Sequence, residues 1–252
     1  MSVAGRHIVV TGGGTGVGRA LALAFAHAGA RVTIMGRREA PLREVARQHR
    51  EIGYALCDVT DHASVQAAFR QARGLNGAVT VAVANAGAAE SLPFSRMTPD
   101  HLQAMLSVNL GGVVNTWQAT LDGMKTEGWG RCIAIASTAG LKGYAYASAY
   151  AAAKHAVVGL TRSLALELGQ SGVTANAICP GFIETPLLER SIETITAKTG
   201  MSVEEARASL IAANPQGRFI QPDEVAGAAL WLCSDAAASV NGHALSLSGG
   251  EV

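Results

Sequence analysis

The 252-residue chain is short of cysteine and of charge, and each shortage closes off a class of protein. Its four cysteines, Cys57, Cys132, Cys179 and Cys233, lie far apart and form no C-x-x-C pair. That excludes a disulfide scaffold or zinc ribbon and suits small buried residues kept reduced. Charged residues are 15% of the chain and the formal net charge is +1, which gives no electrostatic case for nucleic acid or an anionic membrane. No apolar run approaches the roughly 18 residues that span a bilayer. Residues Met1–Arg6 lead almost directly into a strand-like run, without the build of a secretory leader, so a cytoplasmic protein is expected. The seven histidines show no ligand spacing, and no metal is expected. A nucleophile elbow of the form G-x-S-x-G is also missing, which disfavours a serine hydrolase on an α/β sheet.

Nearly half the residues are apolar, enough for a sizeable core. Short, continuous, β-branched runs recur at His7–Val10, Arg31–Met35, Tyr54–Cys57, Val79–Ala84, Cys132–Ala136, Val173–Cys179 and Ala244–Leu247. Runs of this kind suit strands buried on both faces. Helical patterns separate them at Gly16–His27, Arg38–Arg50, Ala63–Arg73, Pro99–Met124, Ser148–Leu168 and Pro222–Cys233. Such alternation predicts an α/β fold with a doubly wound parallel sheet and helices on both faces. No linker or repeat interrupts it, so residues 1–252 are read as one domain. Only the stretch from Pro180 to Pro222 breaks the rhythm, with a helical patch near Ser202–Ala212. An insertion there reads as a substrate lid within 182–221, or else as a passive surface subdomain.

The first strand runs into Thr11-Gly12-Gly13-Gly14-Thr15-Gly16-Val17-Gly18 and then a helix. Glycines permit a tight turn and close approach to a pyrophosphate, while the helix start supplies N–H groups and a positive dipole end. The spacing is not G-x-G-x-x-G, and no Gly-Lys-Ser/Thr closes it as a P-loop. At the end of the second strand a carboxylate would bind the ribose hydroxyls of NAD. Arg37 and Arg38 stand there instead, and either can grip a 2′-phosphate. NADP(H) is therefore favoured, with NAD(H) possible and a solvated charge as the bland alternative. Asp58, with Val59 beside it, is placed for the adenine edge, and Asn85-Ala86-Gly87 for the adenosine half; plain surface loops are the alternative for each.

Tyr150 and Lys154 share one helix face at i, i+4 spacing. A phenol is a poor acid–base at neutral pH, and an adjacent ammonium favours the phenolate. Ser137, at the end of the fifth strand, can hold a substrate oxygen while Tyr150 donates to it, with Thr138 as the rival hydroxyl. Asn109 lies in an apolar helical stretch, where a buried amide needs a polar partner or serves structure alone. His155 is rotated about 100° from Lys154 and is given no catalytic role.

Together Thr11–Gly18, Asp58, Asn85-Ala86-Gly87, Asn109, Ser137, Tyr150-x-x-x-Lys154 and Pro180-Gly181 resemble the classical short-chain dehydrogenase/reductase family over essentially the whole chain. The resemblance implies a seven-stranded Rossmann-like sheet and commonly a homotetramer, or a homodimer. It further implies that Ser137 positions the carbonyl and that Tyr150 exchanges the proton. Lys154 would bind the nicotinamide ribose and lower the Tyr150 pKa, and Asn109 would support a water linked to the lysine. Pro180, Gly181, Ile183 and Thr185 match the segment that orients the nicotinamide, and Arg37 matches a preference for NADP(H). One departure is Ala84, where the family usually has a further asparagine; it leaves the catalytic set intact.

Pocket walls are expected at Ser91–Phe94, Leu141–Tyr146 and Phe182–Leu188. They suit a medium-sized, partly apolar or aromatic ketone or secondary alcohol, or a 3-oxoacyl substrate, contacted by Ser137, Tyr144, Tyr150 and Phe182. Lys142 is read either as meeting an anionic group at the mouth or as a solvated lysine. The rival function, a non-catalytic dinucleotide sensor, would be expected to have lost Tyr150 or Lys154, and both are present. The two long helices are expected to pack against a second subunit or to be buried within one.

Overall fold

The computed structural model describes residues 3–252. Seven strands form one sheet: β1 (His7–Thr11), β2 (Arg31–Gly36), β3 (Ile52–Leu56), β4 (Val79–Ala84), β5 (Gly130–Ile135), β6 (Val173–Pro180) and β7 (Ala244–Leu247). Their order is β3-β2-β1-β4-β5-β6-β7, and every neighbouring pair is parallel. The order reverses between β1 and β4, which opens a crevice at the carboxyl edge.

Both sheet faces are covered, which is why the strands are apolar without alternation. Ile8 and Val10 of β1 join a core with Leu21 and Phe25 of α1 (Gly16–His27) and with Val225 and Leu232 of α10 (Pro222–Leu232). Val9, between them, joins the opposite core with Val65 and Phe69 of α3 (His62–Asn76). On that same side α5 (Gly112–Gln118) and α7 (Ser148–Glu167) cover β4 to β6 through Trp117, Val157 and Val158. The second helix, α2 (Glu39–Ala46), is shorter than its expected range, ending as the chain turns towards β3.

The stretch read as one helix over Pro99–Met124 is divided. It comprises α4 (Pro99–Leu106), a π-helical turn at Ser107–Gly111, α5, and a separate α6 (Leu121–Thr126). The break before α6 falls where the Thr120 hydroxyl donates to the Trp117 carbonyl at 2.9 Å, a side-chain bond that competes with helical continuation. The excursion after β6 holds two helices, α8 (Pro186–Thr199) and α9 (Val203–Ile211). Only α9 was expected; α8 carries a buried pair, Leu188 and Ile192, packed with Ala206 and Phe219 in a small core of its own.

Close backbone approach fixes the start of α1. A Cβ on Gly18 would stand 2.1 Å from the Gly12 carbonyl oxygen and 2.7 Å from Asn85 Nδ2. Gly12, at φ +67°, would place its Cβ 2.9 Å from Ala86 Cα. Only glycine lets the helix start, the turn and the loop after β4 meet at this distance. Gly18→Ala is expected to lower the unfolding free energy in urea by about 2–3 kcal/mol. Gly74→Ala, in α3 with no atom near its would-be Cβ, should instead raise it by about 0.5–1 kcal/mol.

Candidate active site

The glycine turn and the loop after β4 are laced together. Thr11 Oγ1 accepts the backbone N–H groups of Asn85 at 3.0 Å and Ala86 at 3.1 Å. Asn85 Nδ2 donates to the carbonyls of Thr11 at 2.9 Å and Gly12 at 3.2 Å. The Asn85 amide is thus a strut within the turn. Thr15, the N-cap of α1, is exposed and makes no side-chain cap, so Gly16, Val17 and Gly18 open the helix without a capping oxygen. A diphosphate fits this donor set. Gly14 faces Pro41, and a Cβ on Gly16 would lie 3.2 Å from Thr185 Cγ2, so the base of the excursion touches the turn.

Arg37 and Arg38 follow β2, both exposed and without an ion-pair partner among the described residues. Asp58 lies within the field of Arg37. The Thr60 N–H and hydroxyl, at 3.0 and 2.7 Å, hold its carboxyl below the usual range, and Arg37 adds a smaller pull. Val59 is buried, and its carbonyl accepts Asn115 Nδ2 at 2.9 Å.

Ser137 leaves β5 with extended backbone and caps a short 3-10 turn over Thr138–Gly140, its Oγ accepting the Ala139 N–H at 3.1 Å. Here α7 lies against β5: a Cβ on Gly140 would come 2.8 Å from the Lys154 carbonyl. Lys154 is 4% exposed and donates to the Ile135 carbonyl at 2.8 Å. Burial lowers its ammonium to about 8. Its Nζ stands 5.6 Å from the Tyr150 ring centre.

Burial raises the Tyr150 phenol, and a hydrogen bond with Ser137 only partly offsets this. The direction is opposite to the lowering implied by the family pattern, because burial outweighs the bond from Ser137, while the Lys154 ammonium is bonded to the Ile135 carbonyl. Ser137, Tyr150 and Lys154 nonetheless meet at one point of the crevice. Asn109 is buried on the π-turn. Its Nδ2 donates to the carbonyls of Ala88 at 2.9 Å and Met105 at 3.0 Å, and its Oδ1 accepts the Ala88 N–H at 3.3 Å. Exposed Gly87 passes between Asn109 and Lys154.

Pro180 ends β6, Gly181 N–H donates to Leu247 at 3.0 Å, and Ile183 pairs with Ile220. Tyr144 and Phe182 meet edge to face, ring centres 6.0 Å apart. Two sequence readings are corrected at this wall. Thr138 is no rival to Ser137, because its hydroxyl is bonded to Tyr144 Oη at 2.6 Å. Lys142, 37% exposed, is neither free for a ligand nor a lone solvated charge: it pairs at 2.8 Å with Glu251, whose side chain is 2% exposed. The Tyr144 phenol also donates to Glu251. Nothing local in the sequence marks Glu251, 107 residues beyond Tyr144; only the return of the chain through β7 brings it here.

A family model described as short chain dehydrogenase matches residues 6–196. The chain belongs to the short-chain dehydrogenase family. The D-beta-hydroxybutyrate dehydrogenase of Cupriavidus necator is 38% identical over 98% of each chain. The levodione reductase of Leifsonia aquatica is 33% identical over 98% of this chain and 94% of its own. Among solved structures, an actinorhodin polyketide ketoreductase variant with NADPH superposes with a TM-score of 0.94 at 34% identity, over 98% of this chain and 97% of that one. The dehydrogenase is accordingly an oxidoreductase of hydroxyl and carbonyl groups.

Folding lowers the Lys154 pKa from 10.5 to about 8, so the unfolded chain binds more protons between those values. Stability attributable to Lys154 therefore rises with pH across that window, and the burial penalty is fully present below it. The stability difference between Lys154→Met and wild type should shift by up to about 3 kcal/mol between pH 8 and 10.5, in favour of wild type as pH rises. Urea titrations of both proteins across that range measure it.

Proposed function

We propose that the protein interconverts a ketone and a secondary alcohol with NADP(H), by way of Ser137, Tyr150 and Lys154. The meeting of the Ser137 hydroxyl, the Tyr150 phenol and the buried Lys154 ammonium at the crevice carries this reading. When bound, the nicotinamide supplies the hydride in one direction and accepts it in the other. In reduction, Ser137 donates to the carbonyl oxygen and holds it, and Tyr150 gives its phenolic proton to that oxygen. Lys154, one helical turn on, stabilises the resulting phenolate and hands on a replacement proton. A phenol held up by burial is protonated at neutral pH, the form that can donate to a carbonyl oxygen. Asn109 shapes the floor by bonding Ala88 both ways.

The turn Thr11–Gly18 takes the diphosphate, Asp58 and the Asn85-Ala86-Gly87 loop border the adenosine half, and Arg37 with Arg38 takes the 2′-phosphate. Pro180, Gly181, Ile183 and Thr185 border the nicotinamide. Helices α8 and α9 form the lid. The substrate is a medium-sized ketone, partly apolar or aromatic or of 3-oxoacyl type, bordered by Tyr144 and Phe182. No helix is long and apolar enough to cross a membrane among the described residues. A cytoplasmic homotetramer or homodimer is the assembly we favour.

Tyr150→Phe should reduce kcat by a factor of at least about 10³, while NADPH binding, followed by nicotinamide fluorescence, changes less than about threefold. Substantial residual turnover would remove Tyr150 from the mechanism. Arg37→Ala should weaken NADPH binding by about tenfold or more and NADH binding little, since a bond to a charged phosphate is lost only with the former. Equal weakening would make Arg37 a solvated charge.

A further inference from the structure

The wall opposite Tyr150 carries a polar cluster that the reaction does not use. Glu251 lies against Gly181, where a Cβ would stand 3.1 Å from Oε2. Its other oxygen, Oε1, receives Lys142 Nζ at 2.8 Å and the Tyr144 phenol. The chain is held in this place from behind: a Cβ on Gly249 would fall 1.9 Å from Asn214 Oδ1. Thr138, adjacent to Ser137, is bonded to the same phenol. Tyr144 lies close enough to Tyr150 for the two phenols to feel each other's charge. The cluster therefore borders the space where a substrate on Ser137 and Tyr150 extends.

Each partner in this cluster is occupied. Lys142 is the cation nearest the Tyr144 ring, 5.1 Å from its centre, and its charge is cancelled by a carboxylate that has no water to face. The Tyr144 hydroxyl is engaged twice, so the ring, with Phe182 set edge-on, is what remains to contact a ligand. Of the other cations, Lys154 is bonded to Ile135, and Lys198 reaches the Ser91 carbonyl at 3.3 Å from α8. A substrate carboxylate in this space would meet a Lys142 charge already matched by Glu251 and gain little from it. An uncharged ester or aromatic ketone would meet two rings.

We propose that Glu251, by neutralising Lys142 and holding Tyr144, selects uncharged ketones over keto acids. The proposal deepens the ketone-reductase reading and rests on it. It also sets this chain apart from a relative named for the hydroxy acid it oxidises.

The test compares methyl 3-oxobutanoate with 3-oxobutanoate, which share one reacting ketone and differ in charge. The wild-type protein with NADPH should show kcat/KM for the ester at least about tenfold above the acid. Glu251→Gln, which keeps the shape and frees the Lys142 charge, should narrow that ratio about tenfold, mainly through KM of the acid. Lys142→Met, which removes the cation altogether, should hold or widen it, and serves if the first variant fails to fold. A wild-type protein that accepts the acid as readily as the ester overturns the proposal, as does a ratio unmoved by Glu251→Gln. Binding of each compound to the NADPH-loaded protein, followed by nicotinamide fluorescence, reads the same ratio without turnover. A binding ratio that behaves as expected without reduction of the ester supports the selectivity and overturns the ketone-reductase reading.

Discussion

A lysine ammonium almost wholly removed from water must be met by something, and the arrangement of this site follows from how Lys154 is met. The Ile135 carbonyl, at the last residue of β5, accepts from it. A helix can bring a lysine to that carbonyl only by lying nearly on the strand, and Gly140 is the residue that lets it. Once α7 is there, Tyr150 one turn earlier faces Ser137, which leaves the same strand. The loop after β4 must then pass the ammonium, and Gly87 lies where any side chain would press on Asn109. Burial costs the lysine part of its basicity and costs the phenol part of its acidity. Both shifts come from one cause, exclusion of solvent.

The wall formed by Tyr144 and Phe182 handles its charge by another route. There the buried group is an anion, Glu251, and it is matched within the wall by Lys142 and Tyr144. Removing Lys142 would leave the Glu251 carboxylate buried without its cation, whereas the half-exposed lysine can turn to water. The crevice thus sits between one buried cation beside Tyr150 and one buried carboxylate matched by a half-exposed lysine.

Much of this was legible in the chain. The seven strand runs were readable because strands covered on both faces must be apolar throughout. Tyr150, Lys154 and Ser137 were readable because a helical i, i+4 pair and a strand end fix their placement before any tertiary contact is known. What escaped depends on long-range return of the chain. Glu251 follows β7, and its partners precede α7. A charged residue near a flexible-looking Gly-Gly pair has the pattern of a solvated end. The pairing of Lys142 escaped for the same reason, since its partner is absent from its own neighbourhood. Helix α8 was passed over because its burial is confined to Leu188 and Ile192 against α9 and Phe219, a core too small to impose a strong period.

The π-turn at Ser107–Gly111 ties chain length to chemistry. A π-turn carries one residue more than the α-helical path it interrupts. That surplus is where Asn109 turns to meet Ala88 while also bonding the Met105 carbonyl one turn back. Loss of any one of these five positions would let the backbone close into an unbroken helix, which is locally favourable. Because the surplus residue is taken up within the widened turn, α4 and α5 would keep their facing sides, and what would be lost is the outlet at which Asn109 meets Ala88. A one-residue deletion here would therefore spare the packing around Trp117 and undo the amide's contacts, so that the length of the turn and its asparagine act as one unit.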